Sequence, residues 1–492
     1  MFTSSPQIIL LLNTFAPLMS APALAKTISL ICGVILASGR RTVTSALRMI
    51  GEDDKSATFG KYHRLLSRDR WSALHMSGFL LTLLLDTFSD PNGIIQLVID
   101  ETLERRSGKC ITYKGWFRDA VRSTKTTTVT TQGVRWLCLC LLVRVPWSKR
   151  KWALPFCTIP ACSEKTCDKR RRPNCSPSDW AIDLMLKVRE WVGNDRRIRL
   201  MADGGFTAID FLDYCRTLFI AVIGRIRIDA AFHDEPAPRQ LTGELTTAGE
   251  LKKKSGPIPL KGARQISLKK RLMDPETVWT TIVVPSYGGQ EKSVEILSEV
   301  SLWYVVGHPP MRLRWVLVRP SHSTASESKS ANEGKQESAQ KKISQKTDQA
   351  AVFYSTDVNI TPEEILAGYT ERWNIEVFFE EVRACLGFET QRGWTNLTIG
   401  RTTPCLFGVF SLIVILAKRL YPSELPIRQT AWYKKEEATF HDALCAVRGH
   451  LWDHNHGNPR AINTIGSAKN DELCLIPKIM LRALQEAACY AK

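Results

Sequence analysis

No apolar run in this 492-residue chain is long enough to span a bilayer. The longest, 405–417, falls short of the roughly 20 residues a membrane helix needs and reads as a core helix. No Lys or Arg precedes the first apolar run, 8–12, and the first basic residue is Lys26. The box Ala23-Leu24-Ala25 therefore lacks the charged leader of a secretory signal, and a packed N-terminal helix is expected instead. The 14 cysteines follow no regular spacing, and a chain of this length does not need disulfides to fold, so they read as reduced thiols in a cytoplasmic protein. Cys157, Cys162, Cys167 and Cys175 cluster, but with no histidine among them and at spacings that match no common zinc module. Residues 321–346 are almost free of apolar side chains, cannot bury a core, and are expected to form a mobile loop.

What the chain does have is basic charge. Lys and Arg number 67 against 49 Asp and Glu, a formal net charge of +18, which draws polyanions, of which nucleic acid is the commonest. Hydrophobic residues at 44% and charged residues at 24% exclude a disordered chain, and the length calls for two to four structural units.

Residues 1–90 read as helices, with one through 27–37 ending at Ser38-Gly39 and another starting near Thr42 or Thr44. Arg40, Arg41, Arg48, Lys61, His63, Arg64, Arg68 and Arg70 decorate them, which fits a DNA-reading helix-turn-helix and equally an ordinary bundle with a solvated basic face. Strand-like runs follow at 94–99, 133–145 and 151–158, then a helix over 178–191 and strands at 198–202 and 219–223 around a short helix at 208–216. This order matches a ribonuclease-H-like α/β core. The block 229–357 is β-rich, with strands at 278–284, 302–306, 313–318 and 352–354, and reads as an insertion. Helices resume at Thr361-Pro362-Glu363-Glu364. The organisation is thus a helical DNA-binding region (1–90), a core in two parts (91–228 and 358–420) split by the insertion, and a C-terminal helical region (421–492).

Three carboxylates stand out. Asp100, in Val98-Ile99-Asp100-Glu101-Thr102, is expected at the end of a buried strand, and Asp203, in Met201-Ala202-Asp203-Gly204-Gly205, at the end of another. Each residue taken singly suits an ordinary strand end or turn, but the two glycines would also let a backbone or metal approach closely. The third lies in Tyr369-Thr370-Glu371-Arg372-Trp373-Asn374-Ile375-Glu376, with Arg383 further on. On one continuous helix Tyr369, Arg372, Glu376 and Arg383 share a face, so that the two arginines would keep Glu376 ionised and hold phosphates. A salt-bridged surface helix has the same pattern.

The spacing Y-x2-R-x3-E-x6-K/R resembles the signature helix of bacterial insertion-sequence transposases with a DDE catalytic core, and Ile99–Thr102 and Ala202–Phe206 resemble that family's first and second aspartate motifs. The likeness runs over residues 25–420, with Arg383 where the family usually has Lys and with a gap between Asp203 and Glu376 like that of the subgroup carrying a β-strand insertion. The resemblance implies two Mg²⁺ ions about 3.5–4 Å apart, replaceable by Mn²⁺, with Asp100 bridging them and Asp203 and Glu376 each holding one. It further implies DNA contacts from Tyr369, Arg372 and Arg383, nicking of element ends followed by strand transfer, a hairpin intermediate, a DNA-bound homodimer, and a bacterial nucleoid-associated location. Trp279, Trp303 and Trp315 are candidates to stack on a flipped base, although core packing suits tryptophan as well. The competing readings are a catalytically inactive DNA-binding descendant and a nuclease of the same core without strand transfer.

Overall fold

Most of the β-branched apolar runs build the sheets, and the longest apolar run builds a helix. In a computed structural model, which describes residues 5–52, 56–119, 122–124, 126–162, 176–236, 241–245, 251–253, 260–285, 291–321, 350–429, 432, 434–456 and 487–489, the chain divides into two units. One comprises Met1–Trp180, Lys187–Arg196 and Asn374–Lys492, the other Ala181–Leu186 and Arg197–Trp373.

The first unit begins with helices α1 (Pro6–Leu12), α2 (Ala21–Leu36), α3 (Val43–Met49), α4 (Ser56–Ser67) and α5 (Ala73–Phe88). In α1 the side chains of Ile8, Leu11 and Leu12 are buried, as expected of a packed helix. Gly33 lets α2 and α3 cross closely, since a Cβ there would come within 2.3 Å of the Ala46 carbonyl oxygen. Strand β1 (Ile95–Arg105) pairs antiparallel with β3 (Thr130–Arg144), which also pairs with β2 (Gly115–Arg118) and β4 (Lys151–Pro160). Residues 136–143 of β3 are all buried, which is why that stretch reads as one unbroken apolar run. The register between β3 and β4 slips between Leu139 and Cys140, next to Pro155. A proline has no N–H to give to a ladder, and a bulge accommodates it.

Later helices complete this unit: α10 (Asn374–Leu386), α11 (Asn396–Leu420) and α12 (Phe440–His456). Helix α11 lies against β4, where Ser411 Oγ donates to the Pro155 carbonyl at 2.7 Å. By length and composition α11 is the one helix among the described residues that would cross a membrane, but 72% of its most apolar window is buried inside the protein, so it is the core helix expected from 405–417. Helix α6 (Pro177–Val192) opens with a capping box made by Ser176 and Asp179.

In the second unit, β5 (Ile198–Ala202) and β6 (Ile220–Ile226) run parallel, joined by α7 (Ile209–Thr217), as a βαβ crossover requires. After β7 (Phe232–His233), the pair β8 (Leu241–Leu245) and β9 (Leu251–Lys253), and α8 (Leu268–Met273), four strands follow: β10 (Thr280–Pro285), β11 (Glu291–Trp303), β12 (Met311–Pro320) and β13 (Ala351–Ser355). They form an antiparallel run that ends on β6, through pairs such as Val352↔Ile226. The strands of the block 229–357 extend the sheet begun by β5 and β6. Most of β11 escaped the sequence reading because its apolar residues alternate with Lys292, Glu295 and Glu299. Helix α9 (Pro362–Glu371), capped by Thr361 and Glu364, packs on this sheet. The expected loop 321–346 lies outside the described residues apart from Ser321, as do Cys167 and Cys175 of the cysteine cluster.

Candidate active site

Asp100 lies in the middle of β1, opposite Cys138, and not at the strand's end as expected. The strand is buried on both faces through Leu97, Val98 and Ile99, and at Asp100 the covering opens, leaving that residue half-exposed. The hydrophobic run ends there because the packing changes, while the ladder continues to Arg105. Asp100 Oδ1 accepts from the Glu101 N–H at 2.8 Å, which fixes how the carboxylate is turned.

Glu376 lies in the same unit, half-exposed, in the first turn of α10, where a carboxylate complements the helix N-terminus. The signature segment is not one helix. Helix α9 ends at Glu371, Arg372 and Trp373 form a tightened turn with bonds to Tyr369 O and Thr370 O, and α10 starts at Asn374. The single helical face expected for Tyr369, Arg372, Glu376 and Arg383 is therefore broken, with Tyr369 and Arg372 in the second unit and Glu376 and Arg383 in the first.

Arg383 is bound into the protein. Its guanidinium donates to Thr102 Oγ1 at 2.7 Å, to Leu103 O at 3.3 Å, to Phe379 O at 3.0 Å and to Glu389 Oε1 at 3.5 Å, and it lies over the Phe388 ring. Burial pulls its pKa below the usual arginine value, with Glu389 opposing.

Asp203 belongs to the second unit. It caps the short turn Gly204–Phe206, accepting from the Gly205 N–H at 2.6 Å. Neither glycine has positive φ, so what they provide is room and not unusual backbone angles. A Cβ on Gly205 would stand 2.9 Å from Asp203 Oδ1, and one on Gly204 3.4 Å from the Arg225 carbonyl oxygen. Asp203 opens onto a cleft of about 800 Å³ whose walls include Thr207, Arg225, Arg227, Trp303 and Tyr369. Trp303, at the end of β11, is 8% exposed and still lines this cleft. Burial raises the Tyr369 phenol, and Arg372 and Arg225 pull it back. The Tyr369 ring packs 4.6 Å from Phe353, and the buried Arg372 lies 5.5 Å from its centroid. Behind them Tyr354 is fully buried and held protonated, near Thr207 Oγ1.

The other two candidate tryptophans have partners within the protein. Trp315 is fully buried, stacks on Phe232 and donates to Ser301 Oγ, while Trp279 carries Arg319 at 3.9 Å.

Arg41, expected among the DNA contacts, is buried. It is 4% exposed, its guanidinium donates to Gly39 O and Cys385 O, and burial, with Arg448 nearby, pulls its pKa down to about 10. Arg401, on the carbonyls of Leu65, Leu66, Asp69 and Trp71, and Arg448, on those of Ile35 and Ala37, are used in the same way. A guanidinium, with five donors and no acceptor, suits the unpaired carbonyls at a helix C-terminus. Arg41→Met is expected to lower stability, read by urea unfolding, by about 2–4 kcal/mol, since two carbonyls lose charged donors, and to leave DNA affinity at fixed salt unchanged. A weakened affinity with unchanged stability would restore Arg41 to a DNA surface. Arg40, Arg48, Lys61, His63, Arg64, Arg68 and Arg70 are exposed.

Among the described residues no three His, Cys, Asp or Glu side chains are gathered as a metal site. Asp100 and Glu376 belong to one unit and Asp203 to the other. Neither Arg225 nor Thr102 has a role assigned to it by the sequence alone. Arg225 is the charged residue in the apolar strand Ile220–Ile226, and Thr102 is two residues from Asp100 on the same strand face.

Two family descriptions match the chain: the DDE superfamily endonuclease over residues 15–285, and an archaeal ISC1217-type transposase over residues 340–423. The first match contains Asp100 and Asp203, and the second contains Tyr369, Arg372, Glu376 and Arg383. No curated protein matches the chain.

Proposed function

Because this chain belongs to the DDE superfamily endonuclease family, whose description covers more than half of it, we propose that it is a DNA transposase that cuts element ends and joins them to target DNA. The observation that carries this reading is the Asp203 cleft. It sets Asp203 beside Arg225, which suits phosphates, and Trp303 and Tyr369, which suit bases, while Arg227 in the same cleft is paired with Asp229. In this reading β1, β3, β5 and β6 belong to a ribonuclease-H-like core, and Asp100, Asp203 and Glu376 work together as the catalytic residues.

Three carboxylates are the hard oxygen donors that Mg²⁺ or Mn²⁺ accepts, and the hydrogen bonds from Glu101 N–H and Gly205 N–H turn two of them in fixed directions. The ions, when bound, supply Lewis acidity toward the scissile phosphate and its attacking and leaving oxygens. The chain's own contribution is to hold the DNA. Arg225 takes a backbone phosphate, Arg372 backs Tyr369, and Trp303 presents a ring for a base drawn out of the stack. The exposed residues Arg40, Arg48, Lys61, Arg64, Arg68 and Arg70 add sequence-independent attraction, and two copies of the chain bring two element ends together.

The test supplies purified chain and Mg²⁺ with labelled DNA carrying the sequences that flank the gene, together with a target plasmid. Labelled ends covalently joined to the plasmid are the expected product. Cut ends that never join would make the protein a nuclease, and binding without cutting would make it a DNA-binding descendant.

A further inference from the structure

We propose that Arg383 is a positioning residue: through Thr102 it locks the helix bearing Glu376 to the strand bearing Asp100, and it does not serve as a phosphate contact. This rests on the reading of Asp100 and Glu376 as metal ligands.

Arg383 follows Glu376 by seven residues, so the two side chains leave α10 on one face, offset by only about 20°. Asp100 and Thr102 are two residues apart on β1 and share a strand face. The bond from Arg383 to Thr102 Oγ1, at 2.7 Å, therefore joins the same two faces that carry the two carboxylates. The second bond of that nitrogen, to Leu103 O, grips the strand backbone itself, and the bond to Phe379 O returns to its own helix.

The surroundings are built to keep the guanidinium there. Helix α10 is followed by Gly387 with φ +60°, and the Phe388 N–H reaches back to Val382 O. This turn brings the Phe388 ring to 5.0 Å from the guanidinium carbon. It also carries Glu389, whose φ of 77° is one that residues with a side chain rarely adopt. The Glu389 carboxylate sits between Arg383, at 3.5 Å, and Arg105, at 3.3 Å, and Arg105 is gripped in turn by the buried Asp119 at 3.1 Å. A carboxylate already stands where a phosphate would have to sit, so the four hydrogen bonds of Arg383 all go to the protein. An arginine at this position has a reason that a lysine lacks: one ammonium cannot reach strand, helix and turn together.

The experiment uses the full-length chain and Mn²⁺ as the probe, with bound metal read by electron paramagnetic resonance of the free ion. Thr102→Val removes the hydroxyl and keeps the volume, and Thr102→Ser restores the hydroxyl. Thr102→Val and Arg383→Gln are expected to raise the half-saturating Mn²⁺ concentration by about ten- to hundred-fold, the range for partners that orient a metal ligand. Thr102→Ser should stay near the wild type. DNA affinity, and its slope against salt, should be the same for all four proteins. The inference is overturned if Thr102→Val takes up Mn²⁺ like the wild type. It is overturned too if Arg383→Gln flattens the salt slope by about one, the mark of a lost phosphate contact. A wild type that takes up no Mn²⁺ would overturn the reading of the carboxylates and the strut with it. A wild type that binds metal and cuts DNA, beside a Thr102→Val variant that matches it, would overturn the strut alone.

Discussion

Asp203→Ala is expected to abolish DNA cleavage while leaving DNA affinity within error of the wild type and lowering stability by no more than about 1 kcal/mol. The loss should exceed the roughly 100-fold that removing an outer-shell partner of a metal can cost, because the carboxylate itself is proposed as the ligand. Folding should tolerate the change. Asp203 is half-exposed, and its hydrogen bond caps only a three-residue turn, Gly204–Phe206. Loss of that cap is worth about 1 kcal/mol. Binding should persist because the cations and rings of the cleft, Arg225, Arg227, Trp303 and Tyr369, remain. Gel-shift, urea and cleavage measurements on one preparation separate these effects. A variant that still cuts would remove Asp203 from the chemistry, and one that neither binds nor folds would make its role structural.

The second large effect is on stability. Glu104 is fully buried in β1 and holds three groups: Arg106, at 2.7 Å from its Nε, Trp136 Nε1 at 2.8 Å and Thr403 Oγ1 at 3.1 Å. Burial raises the Glu104 carboxyl above its ordinary value, and Arg106, Trp136 and Thr403 oppose it. Arg106 also donates to Gly393 O at 2.6 Å, so one cluster ties β1 to β3, to α11 and to the segment before it. Glu104→Leu leaves the Arg106 charge buried without its partner and should cost about 3–5 kcal/mol. With both sides of the pair replaced, as Glu104→Leu with Arg106→Met, much of the loss should return, since two apolar side chains need no mutual charge. Tryptophan fluorescence in urea measures this on the transition of the first unit, because a chain of two units need not unfold in one step. A cost below about 1 kcal/mol would mean that water or another group replaces the lost partner.

The three carboxylates and the β5–β6 crossover could be read in the sequence because short-range pattern reports them: a run of β-branched residues before Asp100, glycines after Asp203, and a fixed spacing around Glu376. What escaped depends on distant partners. The end of the apolar run at Ile99 resembles the end of a strand, but hydrogen bonding to β3 continues for six more residues, and only the packing on one face has changed. Helical periodicity treats Tyr369 to Arg383 as continuous, since the two-residue turn at Arg372 and Trp373 leaves the spacing almost unaltered. Charge is equally ambiguous. Arg40 and Arg41 are neighbours of the same type, yet one is exposed and the other reaches Cys385 O, 344 residues away along the chain. Strand β11 failed for the opposite reason, as its exposed face is charged enough to mask the alternation.

The claim at the centre of this account is that Asp203 holds a catalytic metal. Asp203→Cys tests it most directly, because a thiolate is a poor ligand for Mg²⁺ but an acceptable one for Mn²⁺. Asp203→Cys is expected to be inactive on element-end DNA in Mg²⁺ and to regain cleavage in Mn²⁺, while Asp203→Ala stays inactive in both. Cleavage by Asp203→Cys in Mg²⁺ at the wild-type rate, or no recovery in Mn²⁺ from a variant that folds and binds DNA normally, would contradict it.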